Sequence, residues 1–110
     1  MPTRTLVEYQ DDQGRSPFGG WFARLNAQAA ARVARALYRL AEGNFSNVKA
    51  VGQGVSEYKL DFGPGYRIYF GQDGGKLVVL LAGGTKKRQS QDVSNAQARW
   101  HDYRRRKRIK

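Results

Sequence analysis

The sequence predicts an α+β fold, a helical hairpin packed on an antiparallel β-sheet with a further helix at the C-terminus. Three observations predict it. Apolar residues between 27 and 42 recur at helical spacing, whereas those between 55 and 70 alternate with polar ones. The run Leu77-Val78-Val79-Leu80-Leu81 does not alternate at all, which marks a central strand covered on both faces.

The elements follow in order. Residues 4–9 (Arg-Thr-Leu-Val-Glu-Tyr) are rich in strand formers, and Asp11-Asp12-Gln13-Gly14 reads as a loop. Ser16-Pro17 gives an N-cap and a proline at the first helical position. The short helix that follows carries Trp21, Phe22 and Leu25 and is weakened by Gly19-Gly20. The main helix runs from Ala27 to Glu42 on a stripe of Ala30, Val33, Ala34, Leu37, Leu40 and Ala41, with Asn26 as N-cap and Gly43 as C-cap.

In the strand Val55–Phe62, Tyr58, Leu60 and Phe62 take one face; Glu57, Lys59 and Asp61 take the other. Gly63-Pro64-Gly65 turns the chain into Tyr66–Phe70. A three-residue loop would set Asp61 opposite Arg67 and Lys59 opposite Tyr69. Gln72–Gly75 is the next turn, and Gly83-Gly84-Thr85 ends the apolar strand. The loop Lys86-Lys87-Arg88 leads into a helix over Ser90–Arg104, and residues 104–110 form a basic tail expected to fray.

At 110 residues the chain, read as residues 1–110, has the length of one domain. Twenty Lys and Arg against nine Asp and Glu leave a net charge of +11, which favours an anionic partner: nucleic acid first, an acidic protein second, an anionic membrane third. No apolar run approaches the length of a bilayer span, and the first residues lack the apolar core of a secretion signal, so a cytoplasmic location and no membrane partner are expected. With no cysteine and a single histidine, His101, the chain has no means of building a disulfide or a Cys- or His-clustered metal site; no metal and no cofactor are expected. The glycine pairs lack the Gly-Lys-Ser/Thr of a phosphate-binding loop.

Half of the basic residues lie between 86 and 110, and Arg32, Arg35 and Arg39 share one face of the long helix. Arg32, Arg35, Lys86, Arg88, Arg104 and Arg105 are therefore candidates for RNA phosphates, whose neutralisation gives salt-dependent affinity; solvated helix faces are the plainer reading. The hairpin face of Glu57, Lys59, Asp61, Arg67 and Tyr69 has two readings. Asp61 and Arg67 form an ordinary cross-strand ion pair, or Lys59 and Arg67 hold a reacting phosphate while Glu57 or Tyr69 handles a proton. Trp21, Phe22 and Trp100 fit a core better than a base-stacking platform.

Four segments occur in a familiar order: Leu40–Phe45 continuing through Val48-Lys49, Val55–Leu60, Gly65-Tyr66-Arg67-Ile68-Tyr69-Phe70, and Leu80–Lys87. Over residues 18 to 100 the chain resembles the RelE/ParE toxin superfamily, and within it the HigB-like "addiction module killer" branch. The resemblance implies a microbial-ribonuclease-like fold and the role of toxin in a type II toxin–antitoxin system. It also implies a cognate antitoxin with an acidic segment, and action on mRNA in the ribosome by a metal-independent ribonuclease that leaves a 2′,3′-cyclic phosphate. No small-molecule ligand is expected.

By the same resemblance Arg67 matches the hairpin arginine that stabilises charge on the scissile phosphate. Lys59 matches a basic residue of the preceding strand, and Lys87 lies near a basic position after the last strand. Three departures stand out, the first being that the residue pattern of HigB nucleases that use histidine is absent. Glu57 occupies a position that is basic in RelE, and Val93 falls where RelE has its substrate-facing tyrosine. ParE relatives share the fold and inhibit DNA gyrase without being nucleases, so that reading, and an inactive RNA-binding relative, stay open beside the nuclease.

Overall fold

The computed structural model describes residues 3–109; Met1, Pro2 and Lys110, the last residue of the basic tail, lie outside the described residues, as does the side chain of Ile109. The elements are β1 (Thr5–Glu8), α1 (Pro17–Ala23), α2 (Ala27–Ala41), β2 (Val48–Gly52), β3 (Val55–Lys59), β4 (Arg67–Asp73), β5 (Leu77–Gly84), a single 3-10 turn (Lys86–Arg88) and α3 (Gln89–Ile109). They form one five-stranded sheet in the order β1-β5-β4-β3-β2, and the fold is α+β.

The caps form as the sequence predicts. Ser16 accepts from Gly19 N at 2.9 Å and Asn26 accepts from Ala29 N at 2.8 Å, each removing one of the orphan donors of a helix start. Gly43 takes a positive φ of 86° just after α2. The buried stripe of α2 is Ala29, Val33, Ala36 and Leu40, rotated from the expected one so that Ala34 faces solvent.

Four expectations are corrected. The sheet is mixed: β1 runs parallel to β5, while the other pairs are antiparallel. Hairpin signals describe only consecutive strands, and β1 joins its neighbour across the whole chain. Second, a strand unforeseen in the sequence, β2, pairs with β3 through a tight Gly52-Gln53-Gly54 turn in which all three residues have positive φ.

Third, the β3–β4 register is displaced by two residues, so that Lys59 stands opposite Arg67 and Glu57 opposite Tyr69. The loop is longer than the three-residue turn: Leu60 N bonds Tyr66 O at 2.9 Å, and Gly65 N closes a turn onto Phe62 O at 3.1 Å. Fourth, the basic tail continues α3 to Ile109. Its second half is tied down: Tyr103 donates to Asp73 at 2.8 Å, Tyr9 donates to Asp102 at 2.7 Å and Arg106 donates to Gln10 O.

The sheet separates two cores. Val33, Ala36, Leu40 and Phe18 of α1 and α2 pack on Tyr58, Ile68, Phe70, Val78 and Leu80. On the opposite face Ala96 and Trp100 of α3 pack on Val55, Tyr69, Val79 and Leu81. β5 is buried between them, as its unalternating sequence requires. Trp100 is a buried core residue, the half-buried Trp21 packs against the other core, and each lies against a glycine. A Cβ at Gly71 would stand 2.5 Å from the Trp100 ring, and one at Gly83 would collide with Trp21.

Candidate functional site

The end of the sheet where β3 stops, β4 starts and β5 stops gathers the residues of interest. The register sets Lys59 beside Arg67 and Arg67 beside Gly84 across three adjacent strands. The 3-10 turn Lys86–Arg88 leaves directly from there and carries the chain into α3, which covers one face of these strands.

That cover decides the chemistry. Glu57 is 1% exposed and Arg67 is 4% exposed. Arg67 Nε lies 3.6 Å from Glu57 Oε2, and Arg67 Nη1 donates to Gly65 O at 2.7 Å. Gln89, the first residue of α3, donates to the same Glu57 oxygen at 2.8 Å, and Lys49 approaches the other at 3.9 Å. Glu57 Oε1, Arg67 Nε and the Tyr69 hydroxyl make no hydrogen bond. Burial, then the neighbouring Glu57 carboxylate, push the Tyr69 hydroxyl well above the ordinary tyrosine range. Tyr69 is thereby a poor proton-transfer group, and neither it nor Glu57 reaches solvent. The exposed polar hairpin face expected from the sequence is instead a buried ion pair, because α3 lies over it; Asp61 has no part in it and pairs loosely with Lys59 at 3.7 Å in the open.

Two depressions meet at Lys59. The first, of about 490 Å³, has Arg67 in its wall together with Lys59, Asp61, Lys86 and the Gly63–Gly65 loop. The second, of about 240 Å³, is lined by Arg32, Arg35 and Arg39 of α2 with Asn47, Lys59 and Phe62. The Arg32 guanidinium sits 4.4 Å above the Phe62 ring and so fixes the rim between them. The two share Lys59, Asp61 and Phe62, and between α2 and the 3-10 turn they outline a groove whose charges are basic apart from Asp61. Phosphate oxygens are the chemistry such a groove suits.

The predicted residues thus fall into three groups. Lys59, Arg67, Lys86, Arg32 and Arg35 come together. Lys87 and Arg88 are exposed on the 3-10 turn, and neither lines the groove; Lys86 is the lysine whose backbone meets the hairpin loop, its N–H reaching Pro64 O at 3.4 Å. Arg104 and Arg105 lie toward the far end of α3. Sequence reasoning missed Gln89 and Asn47. It also missed Asp92, whose carboxylate packs on Gly84 and is raised in pKa by burial. Asp92 on the first turn of α3 was visible as an acid at a helix start but carried no signal of its target. Among the described residues no three His, Asp or Glu converge as a metal site, and no helix is long and apolar enough to cross a membrane.

The chain is thus a small α+β protein with a basic groove at the strand ends of a mixed sheet. No family model matches the chain. A protein of Haemophilus influenzae that carries only the description "uncharacterized" is 40% identical over 80 residues, covering 72% of this chain and 81% of that protein. The chain belongs to the same family as that protein.

Proposed function

We propose that this protein is the toxin of a type II toxin–antitoxin pair, of the RelE/ParE kind, and that it cleaves mRNA on the ribosome. The observation that carries the reading is the basic groove in which Lys59, Arg67 and Lys86 converge, built on the Gly-Tyr-Arg-Ile-Tyr-Phe hairpin that resembles that superfamily. In this reading Lys59 and Lys86 hold the phosphate at the groove rim. Arg67 stabilises the charge that grows on it as the ribose 2′-OH attacks and the 5′-oxygen leaves, giving a 2′,3′-cyclic phosphate. Tyr69 is set aside as a proton carrier by its burial, so in this reading Asp61 takes the 2′-OH proton and Lys59 gives one to the leaving 5′-oxygen. Arg32 and Arg35 steer the strand. An antitoxin with an acidic segment would offset the charge of +11.

The test is primer-extension mapping of cellular mRNA after induction of the wild type or of K59A/K86A, two exposed positions whose loss leaves the fold intact. Discrete cuts within translated codons that fade in the variant are expected. One observation favours a second reading: Arg67 is engaged by Glu57 and Gly65, which suits a non-enzymatic ParE-like gyrase inhibitor or an inactive RNA-binding relative. Growth arrest with intact mRNA and inhibited supercoiling would establish the gyrase reading.

A further inference from the structure

A second concentration of charge lies at the opposite end of the sheet. α3 starts beside Glu57 at Gln89, and Arg104 stands roughly 22 Å further along its axis at 1.5 Å per residue. From Arg104 to Arg108 every residue is cationic. Two carboxylates answer them. Asp102 takes Arg105 and Arg106, and Asp73 takes Lys107 and the Tyr103 hydroxyl. Among the described residues neither Arg104 nor Arg108 forms an ion pair.

Cations in the last turn complement the helix dipole, which accounts for one or two of them. Arg104 and Arg108, however, stand one turn apart as like charges, an arrangement that disfavours the helix. Both border an open cleft of about 620 Å³ between α3, the β2–β3 turn at Gly54, and the end of β4 at Gln72 and Asp73. Its aromatic wall is Tyr103, stacked on Trp100 at 5.2 Å between centroids and 6° between planes. Asp73 anchors the Tyr103 ring and the Lys107 ammonium, so the wall and one cation are set in place before any ligand arrives. Gln72 adds an exposed amide that both donates and accepts.

We propose that this cleft is a second RNA-binding surface, in which Arg104 and Arg108 hold backbone phosphates while Tyr103 and Gln72 meet a base. Unpaired cations beside an aromatic face and an amide are the combination that single-stranded RNA uses. RNA is favoured over an acidic peptide because each nucleotide brings a stacking ring beside its own charge, which matches Tyr103 next to Arg104 and Arg108. The ligand class rests on the RNA reading above, but the binding needs neither ribosome nor cleavage. The two basic ends of the molecule then contact RNA independently, at points farther apart than adjacent nucleotides.

The test is fluorescence anisotropy of a short labelled single-stranded RNA with the full chain, without ribosomes, over a series of salt concentrations. R104A/R108A is expected to weaken binding about tenfold at low salt and to lower the slope of log affinity against log salt by about 1.4, two lost phosphate contacts at about 0.7 each. R104K/R108K should keep the slope, since each cation remains. The loss should add to that of K59A/K86A, because the two pairs lie far apart and share no partner. Helicity by circular dichroism should be unchanged, alanine being a good helix former. Unchanged affinity and slope in R104A/R108A would overturn the proposal. So would intact RNA binding with lost affinity for poly-glutamate, which would assign the surface to an acidic protein. Absence of mRNA cleavage in cells would leave this result standing, so the two readings fail separately.

Discussion

The two faces of the sheet are made from alternate residues of the same strands, yet they are unlike. Under α1 and α2, Tyr58, Ile68, Phe70, Val78 and Leu80 meet apolar side chains throughout. Under α3, the neighbours of those residues include Val79 and Leu81 but also Glu57, Arg67 and Tyr69, all within a few per cent of full burial. Both faces exclude water; one uses the exclusion for packing alone, the other holds a charged pair in it. Desolvating two ions costs several kcal/mol each and their attraction repays little beyond that, so the pair is a poor source of stability. A sheet selected for stability alone would carry leucines there. The polar end is therefore where function accounts best for the sequence.

The comparison is most easily broken at Glu57. Glu57→Ala strands the Arg67 guanidinium with the Gly65 carbonyl as its remaining partner, and about 3–5 kcal/mol of stability should be lost in urea unfolding. A loss below about 1 kcal/mol would mean that the face is solvated and the pair ordinary. Next in size is Gly71→Ala, which drives a methyl group into Trp100 and should cost about 1–3 kcal/mol, lowering the urea midpoint at unchanged slope. Gly83→Ala makes the same insertion against Trp21 on the opposite face, and similar losses would show the two cores to be equally rigid.

The smallest effect is expected at Asp102. Hydrogen bonds from Tyr9, then Arg106 and Arg105, hold its carboxyl at about 2, below the ordinary 3.8. A depressed acid contributes stability that is complete above the unfolded value and is lost as pH falls through the folded one. The gap in stability between wild type and Asp102→Asn should therefore be constant at neutral pH and close as pH falls from about 4 to about 2. A gap that persists at the acid end would mean that the hydrogen bonds, and not the charge, do the anchoring.

Much of this was legible in the residues. Caps at Ser16 and Asn26, the helical stripe of α2, the alternation of β3 and β4 and the unbroken apolar run of β5 each prescribe their own local geometry. What was not legible depends on distant contacts. The sequence carries no sign that β1 joins β5 in parallel. β2 has two valines and a Gly-Gln-Gly turn, too little to announce a strand. The five-residue loop Asp61–Gly65 exceeds its glycine–proline centre, and those two extra residues move Arg67 from Asp61 to Lys59. Above all, the alternation of Glu57, Lys59, Arg67 and Tyr69 looks like a solvated face until α3 is laid over it. The choice of Lys87 over Lys86 turned on one residue of a 3-10 turn, finer than spacing resolves.

The measurement that tests the central claim most directly is cleavage of ribosome-bound mRNA by E57L/R67L. Replacing both members of a buried ion pair with apolar side chains keeps stability near that of the wild type, so the variant separates chemistry from folding. If Arg67 stabilises the reacting phosphate, the folded double variant should lose about 100-fold or more in cleavage rate while still binding RNA through Lys59 and Lys86. Cleavage at the wild-type rate would contradict the account and reduce the buried pair to a structural feature of the sheet.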